Sequence, residues 1–151
     1  MKKSLFFCMA FLFALAANAQ SSSKLTDIIN TDKATFAQAA YLSAIYTNDI
    51  SDDESYEKAV QKLKEKNILS EKTEPSATLT LEKAAFICAK TVNLKGGLFY
   101  TIFKNPRYAL IELKAKSIIP ALADPEETLT GRDLIALFNG CLPKDDEGAT
   151  K

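Results

Sequence analysis

Apolar residues recur at helical spacing in five stretches of the chain. Over 81–92, Leu81, Ala84, Ala85, Cys88 and Val92 fall on one side of a helix, with Glu82, Lys83 and Lys90 on the other. Tyr56, Ala59, Val60 and Leu63, continued by Asn67, make a matching stripe over 52–66. Pro106, Ala109, Leu110 and Leu113, continued by Ser117, make another over 106–117. The stretch 36–47 has only Gln38 and Ser43 polar between Phe36 and Tyr46, so it is expected to lie deepest, and 131–142 completes the set. Each start carries a physical signal. Thr35 precedes Gln38, Ser51 precedes Glu54 and Thr130 precedes Asp133 at the spacing of a reciprocal cap, and Asn105-Pro106 supplies a cap followed by a first-turn proline. Leu79 and Leu129, just before Thr80 and Thr130, are placed to staple onto Ala84 and Leu134.

These stretches form a pattern written twice and begun a third time. TFAQAAYLSAIYTN (35–48) aligns without a gap on TLEKAAFICAKTVN (80–93), AVQKLKEKNIL (59–69) aligns on ALIELKAKSII (109–119), and TGRDLIALFNGCL (130–142) opens the unit again. A two-helix unit of about 45 to 50 residues has the period of a helical repeat, and one such hairpin cannot bury its apolar face alone. The expected architecture is all-α: about two and a half stacked helix-loop-helix repeats over 35–142 as a single domain, without significant sheet, after a lead-in at 20–34. Few glycines and frequent Ala, Leu, Lys and Glu support helix over sheet.

The order AVQKLKEKNILS, Pro75, TLTLEKAAFICA, followed by ALIELKAKSIIP, Pro125, TLTGRDLIALF, resembles the S-layer-homology repeat family of bacterial envelope proteins. In that family a helix ending in a Gly-Ile turn leads through a proline-containing loop to a Thr-Arg-Ala-Glu-like helix opening. Here the openings are Thr80-Leu81-Glu82-Lys83 and Thr130-Gly131-Arg132-Asp133, and Asn67 and Ser117 stand at the turn glycine. The resemblance implies orthogonal helical hairpins. It also implies attachment to cell-wall polysaccharide through an arginine-bearing loop, a role that here falls to Arg132.

Composition adds an address. Lys2 and Lys3, an apolar run from Leu5 to about Ala17 and the triplet Ala17-Asn18-Ala19 read as a secretory signal peptide over 1–19. The expected location is the periplasm, the exterior or the cell envelope. Nothing after it is long enough to span a membrane. Without that leader, 17 basic residues face 19 acidic ones, a net charge of −2 that argues against a nucleic-acid partner. Residues 143–151 read as a disordered tail.

The chain holds no histidine, which removes the common triads, the usual metal sites and most general acid–base pairs. No metal, cofactor or catalytic residue is expected. Asp49, Asp52, Asp53 and Glu54 lack the alternation and glycine of a calcium loop and read as helix-start acids. Lys58, Lys62, Lys64 and Lys66 read as a solvated face. Cys88 and Cys141 sit on the apolar sides of corresponding helices, and form either a disulfide or two buried thiols.

The least repetitive segment, LKGGLFYTIFKNPRY (94–108), expands the connection within the second unit. Phe99, Tyr100, Phe103 and Tyr108 beside Lys95, Lys104 and Arg107 read as a binding surface for glycan or protein. In the other reading, which core packing favours, Leu98, Phe99, Ile102 and Phe103 fill the groove between hairpins while the lysines stay solvated. Tyr100, Lys104, Arg107 and Tyr108 are expected at the surface, as binding residues of the kinds that dominate hot spots and stack on sugars. The functional expectation is a non-catalytic envelope-binding or scaffolding module for a cell-wall glycan or a protein partner. The alternatives are a purely structural periplasmic subunit and a carboxylate-dependent hydrolase.

Overall fold

The structure, a computed structural model, describes residues 23–143. The expected signal peptide, and the expected tail beyond Pro143, lie outside the described residues. Seven helices follow one another: α1 (23–29), α2 (Phe36–Tyr46), α3 (Tyr56–Glu65), α4 (Leu81–Thr91), α5 (Leu98–Phe103), α6 (Pro106–Ala115) and α7 (Gly131–Cys141). The fold is all-α. The described residues contain no β-strand, only isolated bridges between Thr35 and Thr78 and between Thr80 and Thr128. No helix among them is long and apolar enough to cross a membrane.

Local chemistry accounts for most boundaries. Thr35 caps α2 reciprocally with Gln38, the two bonds measuring 3.1 and 3.4 Å. Thr130 and Asp133 do the same for α7 at 3.1 and 3.2 Å. Asn105 accepts from the Tyr108 amide, with Pro106 in the first turn of α6. Thr80 makes no such cap: the third helical position is Lys83, a donor, and its ammonium sits 5.8 Å over the Phe36 ring instead.

One expected start is displaced. α3 begins after Ser55, whose Oγ accepts from the Lys58 amide, and Ser51 opens a turn closed by the Glu54 amide. The cause is tertiary. Tyr41 Oη donates to the Asp52 carbonyl, and the Lys24 ammonium donates to the carbonyls of Asp53 and Glu54. Those three acceptors are thereby held out of a helix.

α3 packs on α2, and α6 on α4, while α2, α4 and α7 contact one another pairwise. The facing positions are small or aliphatic: Ala39, Ala40 and Ala44 on α2, Ala84 and Ala85 on α4, and Leu134, Leu137 and Phe138 on α7 are all buried. Between α2 and α4 lies one buried polar pair. Thr91 Oγ1 is 2.7 Å from the Ile87 carbonyl and 2.9 Å from Ser43 Oγ. With one proton each, Thr91 donates to the carbonyl and Ser43 to Thr91, so both hydroxyls are satisfied.

Three extended segments meet at the centre. The Leu79 amide donates to Ala34 (2.8 Å), the Ala34 amide to Leu129 (2.7 Å) and the Leu81 amide to Glu127 (2.8 Å), with Ala34, Leu79 and Leu129 all buried. The lead-in takes part: α1 buries Ile28 completely, and the Gly131 amide donates to Thr31 at 2.8 Å.

The helix-to-loop turns need a left-handed residue. Asn67 and Ser117 follow α3 and α6 with φ of 54° and 58°. Asparagine tolerates that region and serine less well. Ser117→Gly is therefore expected to stabilise the fold by about 1 kcal/mol, read as a rise in the chemical-denaturation midpoint at constant slope. No rise would mean the turn is unstrained.

Candidate binding surface

The expanded connection begins where α4 ends. Asn93 takes φ of 48° and the Leu94 amide returns to the Ala89 carbonyl at 2.8 Å. Gly96 then lets the chain pass tightly over Tyr100, since a Cβ there would lie 2.6 Å from the ring. The Gly97 amide donates to the Glu112 carboxylate at 2.8 Å, which fixes the start of α5 against α6. Lys104 ends α5 in the left-handed region with φ of 41°, its amide donating to the Tyr100 carbonyl.

α5 has one inward residue. Tyr100, 6% exposed, packs with Ala89 of α4 and Ala109 of α6 in a small satellite core flanked by Phe86, Leu94 and Tyr108. Burial, and then the Glu112 carboxylate, raise its phenol above the ordinary tyrosine value, so it remains neutral. At about 100° per residue, Leu98 and Ile102 lie opposite Tyr100, while Phe99 and Phe103 share one flank and Thr101 takes the other. Leu98 is 71% exposed, Phe99 62%, Ile102 61% and Phe103 54%; Ile111 on α6 extends the patch at 50%. The Tyr108 ring stacks with both phenylalanines, at centroid distances of 5.9 and 5.2 Å.

The groove-filling reading of this segment is thus overturned, and one residue of the surface reading moves inward. Tyr100, expected at the surface, is core; Leu98, Phe99, Ile102 and Phe103, expected to fill the groove between hairpins, are the exposed members. The reason is the seat: Ala89 and Ala109 together leave room for one large ring, and a single-helix insert that packs on α6 can turn only one residue into it. Lys104 and Arg107 are exposed, and Tyr108 is half-buried beneath the phenylalanines. Arg132 is exposed on the first turn of α7, a helix that packs on α4 and α2. It lines none of the cavities around α5.

Two cavities flank the insert. One of about 340 Å³ runs along Leu98, Phe99, Tyr108, Ile111 and Glu112. The other, about 440 Å³, lies on the Thr101 side and is walled by Lys90, Lys95 and Lys104 with Asn93 and Thr101. Lys90 was not legible as a site residue, because its approach to Lys95 and Lys104 depends on how α5 folds back. Two further grooves occupy matching places in the repeated pattern. Phe36, Lys83 and Phe86 line one of about 320 Å³, and Leu81, Asp133 and Ala136 line the other, about 310 Å³.

The lysines on and just after α3 are matched locally. Lys58 pairs with Glu54, Lys62 with Glu65 at 3.0 Å and Lys66 with Asp49, and Lys64 donates to the Glu71 carbonyl at 3.0 Å. Burial works against the Asp49 carboxylate, but hydrogen bonds from Lys66 and Thr47 outweigh it and hold it below the ordinary aspartate range. Around the insert, Lys95, Lys104 and Arg107 have no acidic partner among the described residues. Cys88 and Cys141 are both buried free thiols in one core, on the packed helices α4 and α7. Comparison of the chain with protein-family models, curated proteins and solved structures finds no match in any of the three.

Proposed function

We propose that this chain is a non-catalytic attachment module of the bacterial cell envelope. In this reading it consists of two and a half S-layer-homology-like helical hairpins and holds a cell-wall glycan or an envelope protein through the α5 insert. The observation that carries the proposal is the exposed apolar surface of that insert, where Leu98, Phe99, Ile102, Phe103 and Ile111 are all at least half exposed. Contiguous large apolar side chains in water are unfavourable by roughly 25 cal/mol per Å², and covering them is a source of binding free energy. The signal-like leader supplies the address, and a sequence without histidine favours binding over catalysis. The matching grooves support the repeat reading.

Capture of the purified protein by isolated sacculi and by envelope protein fractions tests the proposal. Phe103→Ala combined with Arg107→Ala should weaken capture by about tenfold or more while stability stays within about 1 kcal/mol, the ordinary range for exposed positions. Tyr100→Ala should do the reverse first, costing about 3 kcal/mol of stability as a buried ring is lost. Capture that is indifferent to Phe103 and Arg107 would remove the insert from the binding role.

A further inference from the structure

We propose that the α5 insert docks on an anionic lipid surface, its outward aliphatic side chains entering the acyl boundary and the adjoining lysines holding lipid phosphate. The inference rests on the attachment reading above and names the envelope component. Two independent observations meet at this end of the molecule.

The first is the chemistry of the outward face. Opposite the Tyr100 anchor the leading residues are Leu98 and Ile102, joined by Ile111 from α6, and all three are at least half exposed. Aliphatic side chains offer a sugar neither a ring to stack on nor a hydrogen bond. Hydrocarbon is the surrounding that removes them from water. Lys104 and Arg107 follow directly at the turn into α6, the position cations take when an apolar face lies in a membrane interface.

The second is the cationic cavity on the other flank. Lys90, Lys95 and Lys104 line about 440 Å³ with no acidic side chain in its walls, the Lys90 ammonium lying 5.5 Å from the centroid of the Phe86 ring. That arrangement is unlike Lys58, Lys62 and Lys66, which are matched by Glu54, Glu65 and Asp49. The carboxylate nearest the insert, Glu112, already accepts from Gly97 and pairs with Lys116. A lysine-lined cavity beside exposed aliphatic chains matches a phospholipid, which presents phosphate and hydrocarbon a few ångströms apart. A polysaccharide would leave Leu98, Ile102 and Ile111 in water. A twofold contact with a second copy would bring two cationic cavities together with no acid opposite either.

Flotation of the full chain with vesicles of phosphatidylglycerol and phosphatidylethanolamine, against vesicles of phosphatidylcholine alone, tests the inference. The anionic vesicles should retain the protein at least roughly tenfold better, given about fivefold per lysine at such a surface. Leu98→Ser with Ile102→Ser should lower retention by roughly tenfold or more, since two aliphatic chains no longer leave water. Lys95→Glu with Lys104→Glu should lower it at least as far. Lys33→Glu with Lys72→Glu, carried on other loops, should leave it within about twofold, and unchanged circular-dichroism melts would show that every variant folds. Equal retention by both vesicle types, no retention, or indifference to both α5 pairs would overturn the inference. So would release by millimolar inorganic phosphate, which would reveal a free-phosphate site instead. Capture by sacculi or envelope proteins that depends on α5, without flotation, defeats the lipid surface and leaves the attachment reading standing. Loss of flotation and capture together defeats both.

Discussion

Gly131→Ala should lower the thermal midpoint by roughly 10 °C, corresponding to about 3 kcal/mol at the upper end of overpacking penalties. The direction runs against helix propensity, since alanine is ordinarily better than glycine inside a helix by about 1 kcal/mol. Here a Cβ would lie 1.6 Å from the Ile28 carbonyl oxygen and 2.6 Å from its carbon. Both atoms are backbone, so no rotamer change relieves the clash, and α1 must retreat from α7. That retreat exposes Ile28, which is fully buried, and strains the Gly131 to Thr31 and Ala34 to Leu129 hydrogen bonds that join the two ends of the chain. Gly140→Ala is the internal comparison. Its Cβ would meet only the Ile118 side chain, at 3.0 Å, and gains helix propensity, so its midpoint should move by less than about 1 kcal/mol equivalent. A Gly131→Ala protein melting at or above the parent temperature would show that α1 does not hold this position.

Oxidation of the Cys88 and Cys141 pair should have an effect of similar size and opposite sign. The two buried thiols belong to one core, on the packed helices α4 and α7. Closing them spans a loop of roughly 50 residues, for which restriction of the unfolded chain corresponds to about 4 kcal/mol. A disulfide donor such as oxidised glutathione balances the step: both cysteine thiols lose their protons, one sulfur–sulfur bond forms in the protein, and two glutathione thiols are released. Burial first, and the hydrogen bond with Cys141 second, push the Cys88 thiol well above its ordinary value, so little thiolate is present near neutral pH. Closure should therefore be slow in the folded protein and accelerate under mild denaturation. The readouts are alkylation of unfolded protein followed by mass measurement, and a thermal midpoint that falls when reductant is added. Cys141→Ser should abolish the reductant response. A protein that keeps two alkylatable thiols after oxidation, or whose oxidised form melts no higher, would show that the pair is only a packed contact between small apolar side chains.

The α5 insert shows where pattern reading loses its hold. Its hexapeptide LFYTIF is apolar on nearly every side, so periodicity does not select which residue faces inward. Selection came from Ala89 and Ala109, which come from helices on either side of the insert in sequence and form a seat for one ring. Tyr100 fills it, and the four other large apolar side chains of the hexapeptide remain outside. The same folding back brings Lys90 to the cavity lined by Lys95 and Lys104, although nothing in the spacing marks Lys90 as their neighbour.

The sequence alone determined the helices of the repeated pattern and most of their ends. Those features rest on interactions between residues three or four apart: the Thr35–Gln38 and Thr130–Asp133 caps, the proline after Asn105, and the apolar stripes of α3, α4 and α6. Tertiary structure decided what depends on residues far apart in the chain. Lys24 and Tyr41 hold the carbonyls of 52–54 and shift the start of α3 to Ser55, and the carbonyl of Ile28 reserves Gly131. The α4–α6 seat takes Tyr100 and leaves its neighbours in water. A local pattern records which side of a helix is apolar, but the partner that covers that side is supplied only by the packing of the whole chain.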